Sequence, residues 1–284
     1  MHHKILFCIT QMRYEEKRIL NYIKQNNNND VDVFLDSMDF EKFILSSDEY
    51  DLAIIRIMSH RKAIYIAECL EALNIRTINT SYAIRICSDK VKQALLFKNN
   101  NVISQPAFEV LTSFSNVGKK FENLNSNIVI KPVSGSWGRN IVHINNINSI
   151  FNWVNIQKIK DPKGEKFPYL IQEYINKPNY DIRVVIIGSN PIVAFKRVSS
   201  SNWKTNTHLG AQVEPIPITE YIKKVSNYFV SIIGEGIYGL DLMDDEKGNT
   251  YFCEINQNPE FSNSWKIHKV DVARKIADYI MNEL

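Results

Sequence analysis

Lys131-Pro132-Val133-Ser134-Gly135-Ser136-Trp137-Gly138-Arg139 decides how this 284-residue chain is read. The residues before it, Asn127-Ile128-Val129-Ile130, are a short β-branched run, so Lys131 ends a strand that delivers its side chain to a fixed place. Ser134, Gly135, Ser136 and Gly138 then let the backbone approach an anion closely. Glycine lacks Cβ and tolerates φ > 0, so successive N–H groups can converge on phosphate oxygens. Arg139 adds a planar fork of donors matched to phosphate or carboxylate. Taken alone, the segment also reads as a plain β-turn beside a solvated lysine. The spacing is not Gly-x-x-x-x-Gly-Lys-[Ser/Thr], and no Gly-x-Gly-x-x-Gly follows a strand. A nucleotide bound here is bound in another way.

Composition narrows the classes. With 44% hydrophobic and 23% charged residues, the balance is that of a globular chain long enough for two or three domains. The net charge of +3, from 34 basic and 31 acidic residues, carries no footprint of a dedicated nucleic-acid binder, and it leaves room for an anionic substrate or an acidic partner. The four cysteines, Cys8, Cys69, Cys87 and Cys253, show no Cys-x-x-Cys pair, and Cys8, Cys69 and Cys253 lie in apolar surroundings suited to reduced core thiols. A cytoplasmic protein without structural zinc is expected. No apolar run reaches the ~18 residues of a membrane span, and the N-terminus leads straight into a strand, so neither insertion nor secretion is expected.

Along the chain, residues 4–10 read as a buried strand, 14–25 as an amphipathic helix, 31–35 and 51–57 as strands, 61–73 as a helix and 76–78 as a short strand. This alternation predicts a small parallel-sheet domain over residues 1–86. Ser88-Asp89 reads as an N-cap opening a helix over 90–99, which the asparagines at 99–101 and Pro106 end. A second, strand-rich unit follows, with a polar loop at 158–168; it closes a domain over 87–175. The third, 176–284, carries strands at 183–187 and 192–196, a polar loop at 199–210, a helix at 220–233, a hairpin of strands 238–243 and 251–255, and a C-terminal helix.

The hairpin is the most specific chemical signal. Asp241 on one strand and Glu254 and Asn256 on the other alternate with Leu240, Leu242, Cys253 and Ile255, so three oxygen donors share a face opposite a core face. Such a set suits Mg²⁺, which takes carboxylate and amide oxygens and shares its remaining positions with phosphates; a solvent-facing strand is the plainer alternative. Residues 169–175, with Gln172, Glu173, Tyr174 and Ile175 at the end, read as an adenine slot or as an ordinary edge strand. Arg183 and Arg197 could neutralise charge in phosphoryl transfer, or form surface ion pairs. Lys90, in a first helical turn that the helix dipole does not favour for a cation, points to an anionic partner. His208 sits in a polar loop and is either a surface histidine or a site residue.

In this order the motifs resemble the ATP-grasp superfamily of carboxylate–amine ligases across essentially the whole chain, and more narrowly its LysX/ArgX branch, relatives of RimK. The resemblance rests on residues 131–139, Gln-Glu-Tyr-Ile at 172–175, Asp-Ile-Arg at 181–183, Trp-Lys-Thr-Asn-Thr-His-Leu-Gly at 203–210 and Glu-Ile-Asn-Gln-Asn-Pro-Glu-Phe at 254–261. It implies an α/β fold with α+β elements: an N-terminal parallel-sheet preATP-grasp domain and two ATP-clamping α+β subdomains. It also implies that ATP is held by Lys90, Lys131, Ser134, Gly135, Ser136, Trp137, Gly138, Arg139, Gln172, Glu173, Tyr174, Ile175 and Asp181, and Mg²⁺ by Asp241, Glu254 and Asn256. Arg183, Arg197 and Asn206 would stabilise the transferred phosphoryl group and the acyl-phosphate, while Asn258, Glu260, Phe261 and His208 would meet the substrate.

In that branch the activated carboxylate is the C-terminal glutamate of a small acidic amino-group carrier protein of the LysW kind. The amine is α-aminoadipate or glutamate, in lysine or arginine biosynthesis. A homo-oligomer, dimer or tetramer, is what relatives suggest. Two departures, Gly210-Ala211 where Gly-Gly is common and His60 within Ser59-His60-Arg61, bear on the choice of amino acid. A RimK-like glutamate ligase acting on a cofactor or another protein, and a nucleotide-binding module without ligation, are the alternative readings.

Overall fold

Ile5 to Ile9 form an unbroken apolar run, and a strand of that kind needs partners on both faces. The computed structural model, which describes every residue except 1, 26–28, 46–49, 136–137, 200–204, 206–211 and 263–266, provides them. β1 (His3–Ile9), α1 (Tyr14–Lys24), β2 (Asn29–Leu35), α2 (Phe40–Leu45), β3 (Leu52–Arg56), α3 (His60–Ala72) and β4 (Arg76–Ile78) follow in turn. The strands form a parallel sheet in the order β2-β1-β3-β4. Leu6 and Cys8 pack on Ala63, Ile66, Ala67 and Leu70 of α3. Ile5, Phe7 and Ile9 point the other way, to Ile19 and Ile23 of α1.

The next segment holds one more helix than the sequence predicts. α4 (Ser81–Cys87), capped by Thr80, whose Oγ1 accepts from Ala83 N at 3.2 Å, precedes α5 (Lys90–Leu96). The N-cap of α5 is Asp89, accepting from Lys92 N at 2.9 Å. The helix ends three residues earlier than expected, because Asn100 Oδ1 accepts from Val102 N and Ile103 N at 2.9 and 2.8 Å and turns the chain aside.

The second sheet is antiparallel, in the order β5-β8-β6-β7. Its elements are β5 (Phe108–Leu111), α6 (Val117–Asn123), β6 (Ile128–Pro132), β7 (Val142–Ile144), α7 (Ile147–Lys160) and β8 (Tyr169–Glu173). Phe121, Ile128, Ile130, Trp153 and Ile171 fill the core between this sheet and its two helices. The loop expected from 158 begins only after Lys160. Asp161 then accepts from Glu165 N and Lys166 N at 3.0 and 2.8 Å. β8 has neighbours on both sides, so it is not an edge strand.

The third sheet runs β11-β10-β9-β12-β13, all antiparallel. It comprises β9 (Tyr180–Gly188), β10 (Asn190–Val198), β11 (Gln212–Ile216), β12 (Gly236–Asp244) and β13 (Thr250–Asn256), with α8 (Glu220–Ile233) between β11 and β12 and α9 (Val272–Asn282) at the end. Gly188, at φ +61°, makes the β9–β10 turn tight enough for a single residue, Ser189, to complete it. Ile222, Val225, Phe229, Val230 and Ile233 give α8 a continuous apolar stripe against one sheet face, each burial contributing ~1.5–3 kcal/mol. Ala83, Ile86 and Cys87 of α4 join that core. On the other face, Val185 and Ile187 meet α9, which also packs on α1 and ties the chain's two ends together. Among the described residues no helix is long and apolar enough to cross a membrane.

Candidate active site

The acidic hairpin does not keep a simple alternation. Asp241 pairs with Glu254 but Leu242 pairs with Phe252, so Cys253 is the extra residue of a β-bulge. Leu240, Leu242 and Ile255 enter the core as expected, and Phe252 enters with them. Cys253 is displaced from the core face predicted for it: it lines a cavity with Glu254, and its Sγ lies 4.0 Å from Lys131 Nζ. The bulge is the cause, since it puts two consecutive side chains on the same side.

Around this point cations and carboxylates interlock. Arg183 clamps Asp241 with two nitrogens, Nη2 to Oδ2 at 2.7 Å. Arg197 Nη2 stands 3.0 Å from Asp241 Oδ2, and its Nε and Nη2 donate to Asp181 at 2.6 and 2.9 Å. Thr205 donates to Asp181 as well, and Lys177 Nζ donates to Thr205 Oγ1 at 2.9 Å. Burial works against charge on Arg197, but Asp241 and Asp181 outweigh it and its pKa rises. Arg197 is therefore a buried ion-pair partner and Arg183 a half-buried one, not surface pairs.

Lys90 links three elements. Its backbone N donates to Val133 O at 3.0 Å, its Nζ donates to Gly135 O at 2.9 Å, and Nζ lies 3.2 Å from Glu254 Oε2. Asn256 Nδ2 donates to Glu254 Oε1 at 3.0 Å. Burial would raise the Glu254 pKa, but Lys90, the Asn256 bond, Lys131 and Arg183 together bring it down to about 2. Glu254 is an anion at any ordinary pH.

Two cavities meet here. The narrow one, about 100 Å³, lies between the second and third sheets and is lined by Lys90, Lys131, Gly135, Gly138, the 172–175 segment, Asp181 and Asp241, among others. Gly138, at φ +67°, takes the left-handed conformation the loop reading required. Buried Gln172 Oε1 has no hydrogen-bond partner among the described residues. Glu173 accepts from Asn125 at 3.4 Å, and the Tyr174 ring stacks on His143 at 3.9 Å. The wide cavity, about 570 Å³, reaches the N-terminal sheet and takes in Arg183, Asn256, Asn258, Glu260 and Phe261. Arg139, Arg197 and Glu254 line both.

Most of the expected site residues thus come together. Ser136, Trp137, Asn206 and His208 lie outside the described residues. Among the described residues no three His, Cys, Asp or Glu side chains gather as a metal-binding group; Asp241 and Glu254 meet as a register pair with Asn256 beside them. Sequence reasoning missed Lys177 and Thr205, which hold Asp181, and Arg13, Asp36 and Lys62, which line the wide cavity. His60, noted only as a departure, lines it too, its Nδ1 3.0 Å from Ser134 Oγ; burial and Lys90 lower its pKa.

A model of the RimK-like ATP-grasp domain matches residues 87–280. The chain belongs to the RimK-like ATP-grasp family. Among its RimK-like relatives, the α-aminoadipate–LysW ligase LysX of Sulfurisphaera tokodaii is 30% identical over 278 residues, covering 95% of this chain and 96% of that protein. The glutamate–LysW ligase ArgX of Sulfolobus acidocaldarius is 29% identical over 285 residues, covering 98% of each. The structure of a D-alanine–D-alanine ligase from Bacillus anthracis complexed with ATP matches with a TM-score of 0.73 at 16% identity, over 99% of this chain and 97% of that one. That likeness bears out the ATP-grasp fold expected from the motifs.

Proposed function

We propose that the chain is an ADP-forming carbon–nitrogen ligase that activates the C-terminal glutamate of a small acidic carrier protein of the LysW kind and joins it to the amino group of α-aminoadipate or glutamate. The observation that carries this reading is the wall shared by the two cavities. A slot lined by Lys90, Lys131 and the 172–175 segment opens, past Arg139, Arg197 and Glu254, onto a chamber of about 570 Å³, within the size of a small-molecule site. The LysW ligases similar over nearly the whole chain support the choice of substrates. Domains at 1–86, 87–175 and 176–284 belong to the same reading, with α4 packing on the third sheet.

The residues present fit ATP and Mg²⁺. Gln172 Oε1, without a hydrogen-bond partner among the described residues, suits a donor on a base edge, Lys90 and Lys131 suit phosphates, and the Asp241, Glu254 and Asn256 oxygens are a hard-cation set. Bound there, Mg²⁺ would neutralise phosphate charge during transfer. The chain's own groups do the rest. Lys90 and Lys131 hold the phosphates beside the backbone of Gly135 and Gly138. As the carrier carboxylate attacks the γ-phosphorus and ADP leaves, Arg183 and Arg197, already fixed by Asp241 and Asp181, meet the moving charge without reorganising. The amine then attacks the acyl carbon, phosphate departs and the nitrogen loses a proton. Positioning and charge suffice; no side-chain nucleophile is needed. In this reading the enzyme works in the cytoplasm, as a homo-oligomer, without nucleic acid or membrane.

Hydroxylamine tests the intermediate. Supplied with ATP, Mg²⁺ and carrier but no amine, it should convert the carrier's activated carboxylate to a hydroxamate. ATP-dependent amide formation without any hydroxamate would count against an acyl-phosphate.

A further inference from the structure

The wide cavity has its reacting groups on the third sheet and its opposite wall on the N-terminal sheet. In the order β2-β1-β3-β4, β1 is flanked by β2 on one side and β3 on the other, and the loops leaving β1 and β3 diverge at their carboxyl ends. An open parallel sheet binds ligands in a crevice of this kind. Thr10 and Arg13 line the cavity from the first loop, Met58 and Ser59 from the second, and His60 from the start of α3.

Arg13 is held on one edge. Its Nε donates to Glu16 Oε2 at 3.0 Å and its Nη2 to Oε1 at 2.7 Å. Glu16 is itself locked: it is completely buried, and Arg56 Nε donates to it at 2.9 Å. On the other edge, Arg13 Nη1 lies 4.0 Å from Glu260 Oε1, beyond hydrogen-bond distance. Burial works against charge on Arg13, yet Glu16, Glu15 and Glu260 raise its pKa. Lys62, by contrast, donates to Asp36 O at 2.9 Å, and Arg183 and Arg197 are engaged by Asp241. A guanidinium fixed by one carboxylate, with its second edge in the wall of a chamber, is preorganised for another carboxylate.

We infer that Arg13 is a specificity-determining residue that binds a carboxylate of the amino-acid substrate, with Glu260 beside it facing the substrate ammonium. This rests on the ligase reading and names what selects an acidic amino acid within it. The side chain is partly exposed and belongs to no apolar core, and Arg56 still pairs Glu16 when Arg13 is replaced, so Arg13→Ala costs stability but keeps the fold, and a thermal midpoint read beside the calorimetry confirms it.

Calorimetry at saturating Mg²⁺ and a non-hydrolysable ATP analogue tests it, with glutamate, α-aminoadipate and the two monoamides of each as titrants. Arg13→Ala should weaken binding of the acidic amino acids by about 10- to 100-fold. Nucleotide affinity should not change, and Arg13→Lys should recover part of the loss. For the monoamide lacking the carboxylate that Arg13 holds, wild type and Arg13→Ala should bind alike. Equal binding of the acidic amino acids by both proteins, a penalty that persists through every monoamide, or no amino-acid binding by wild type with the nucleotide bound would overturn the inference. Failure of wild type to bind the nucleotide would instead count against the ligase reading.

Discussion

Lys90 and Glu254 form an ion pair, Nζ to Oε2 at 3.2 Å, that joins the first residue of α5 to the end of β13 beneath the phosphate loop. Because Lys90 Nζ also donates to Gly135 O, one ammonium sets both the acidic hairpin and the loop. Lys90→Met should therefore weaken binding of an ATP analogue by about 10- to 100-fold, the scale of a charge-assisted hydrogen bond. Calorimetry reads this directly, and unchanged affinity would show that Lys90 serves only the fold.

Arg197 makes three contacts through one planar fork, two to Asp181 and one to Asp241. Lysine keeps the charge but not the fork. Arg197→Lys should therefore stay folded, at a cost of about 1–3 kcal/mol for the buried oxygens it leaves unpaired, while turnover falls about 10²- to 10³-fold, the usual cost of a lost transition-state donor. Phosphate release at saturating substrates measures it. Turnover close to wild type would mean that charge alone is needed there.

Much of this arrangement was legible because its signals are local. Helix α8 begins and ends where the apolar period predicts, at Glu220 and Ile233, and Asp89 caps α5 from the expected place. The Asp241–Glu254 pairing follows from strand alternation across a hairpin turn. The β-bulge was not legible, since no residue type marks it, and it moved Cys253 into the cavity. Nor was α7: Phe151, Ile156 and Ile159 face solvent, so its apolar residues trace no clean stripe. The Arg13–Glu16–Arg56 cluster unites residues up to 43 positions apart in the chain, across two strands' exit loops, and only the sheet order brings them together.

That cluster carries a pH signature. Burial raises the Glu16 pKa, but Arg56 and Arg13 more than reverse this, so the net shift is below its ordinary 4.5. A carboxyl with a depressed folded pKa stabilises fully above its unfolded value and loses that stabilisation as pH falls through the folded one. Glu16→Gln should cost about 3–5 kcal/mol at pH 7, by leaving Arg56 buried without its anion. The gap from wild type should narrow below about pH 4.5. Urea unfolding at a series of pH values checks this; a gap constant down to pH 3 would contradict it.

The oxygen set on β12 and β13 predicts a metal requirement. EDTA should abolish phosphate release and added Mg²⁺ restore it. Glu254→Gln keeps the size but not the charge, and it should lower turnover by at least about 10²-fold while raising the Mg²⁺ concentration needed for half-maximal rate. An unchanged Mg²⁺ dependence in that variant would remove Glu254 from the metal site.

In the proposed reaction this chain joins an amino acid to a carrier protein. Intact mass spectrometry of an acidic carrier ending in glutamate, incubated with the enzyme, ATP, Mg²⁺ and either glutamate or α-aminoadipate, tests it most directly. The carrier should gain the mass of one amino acid less one water, with one phosphate released for each molecule modified. An unmodified carrier with both amino acids, under conditions where phosphate is released, would contradict it.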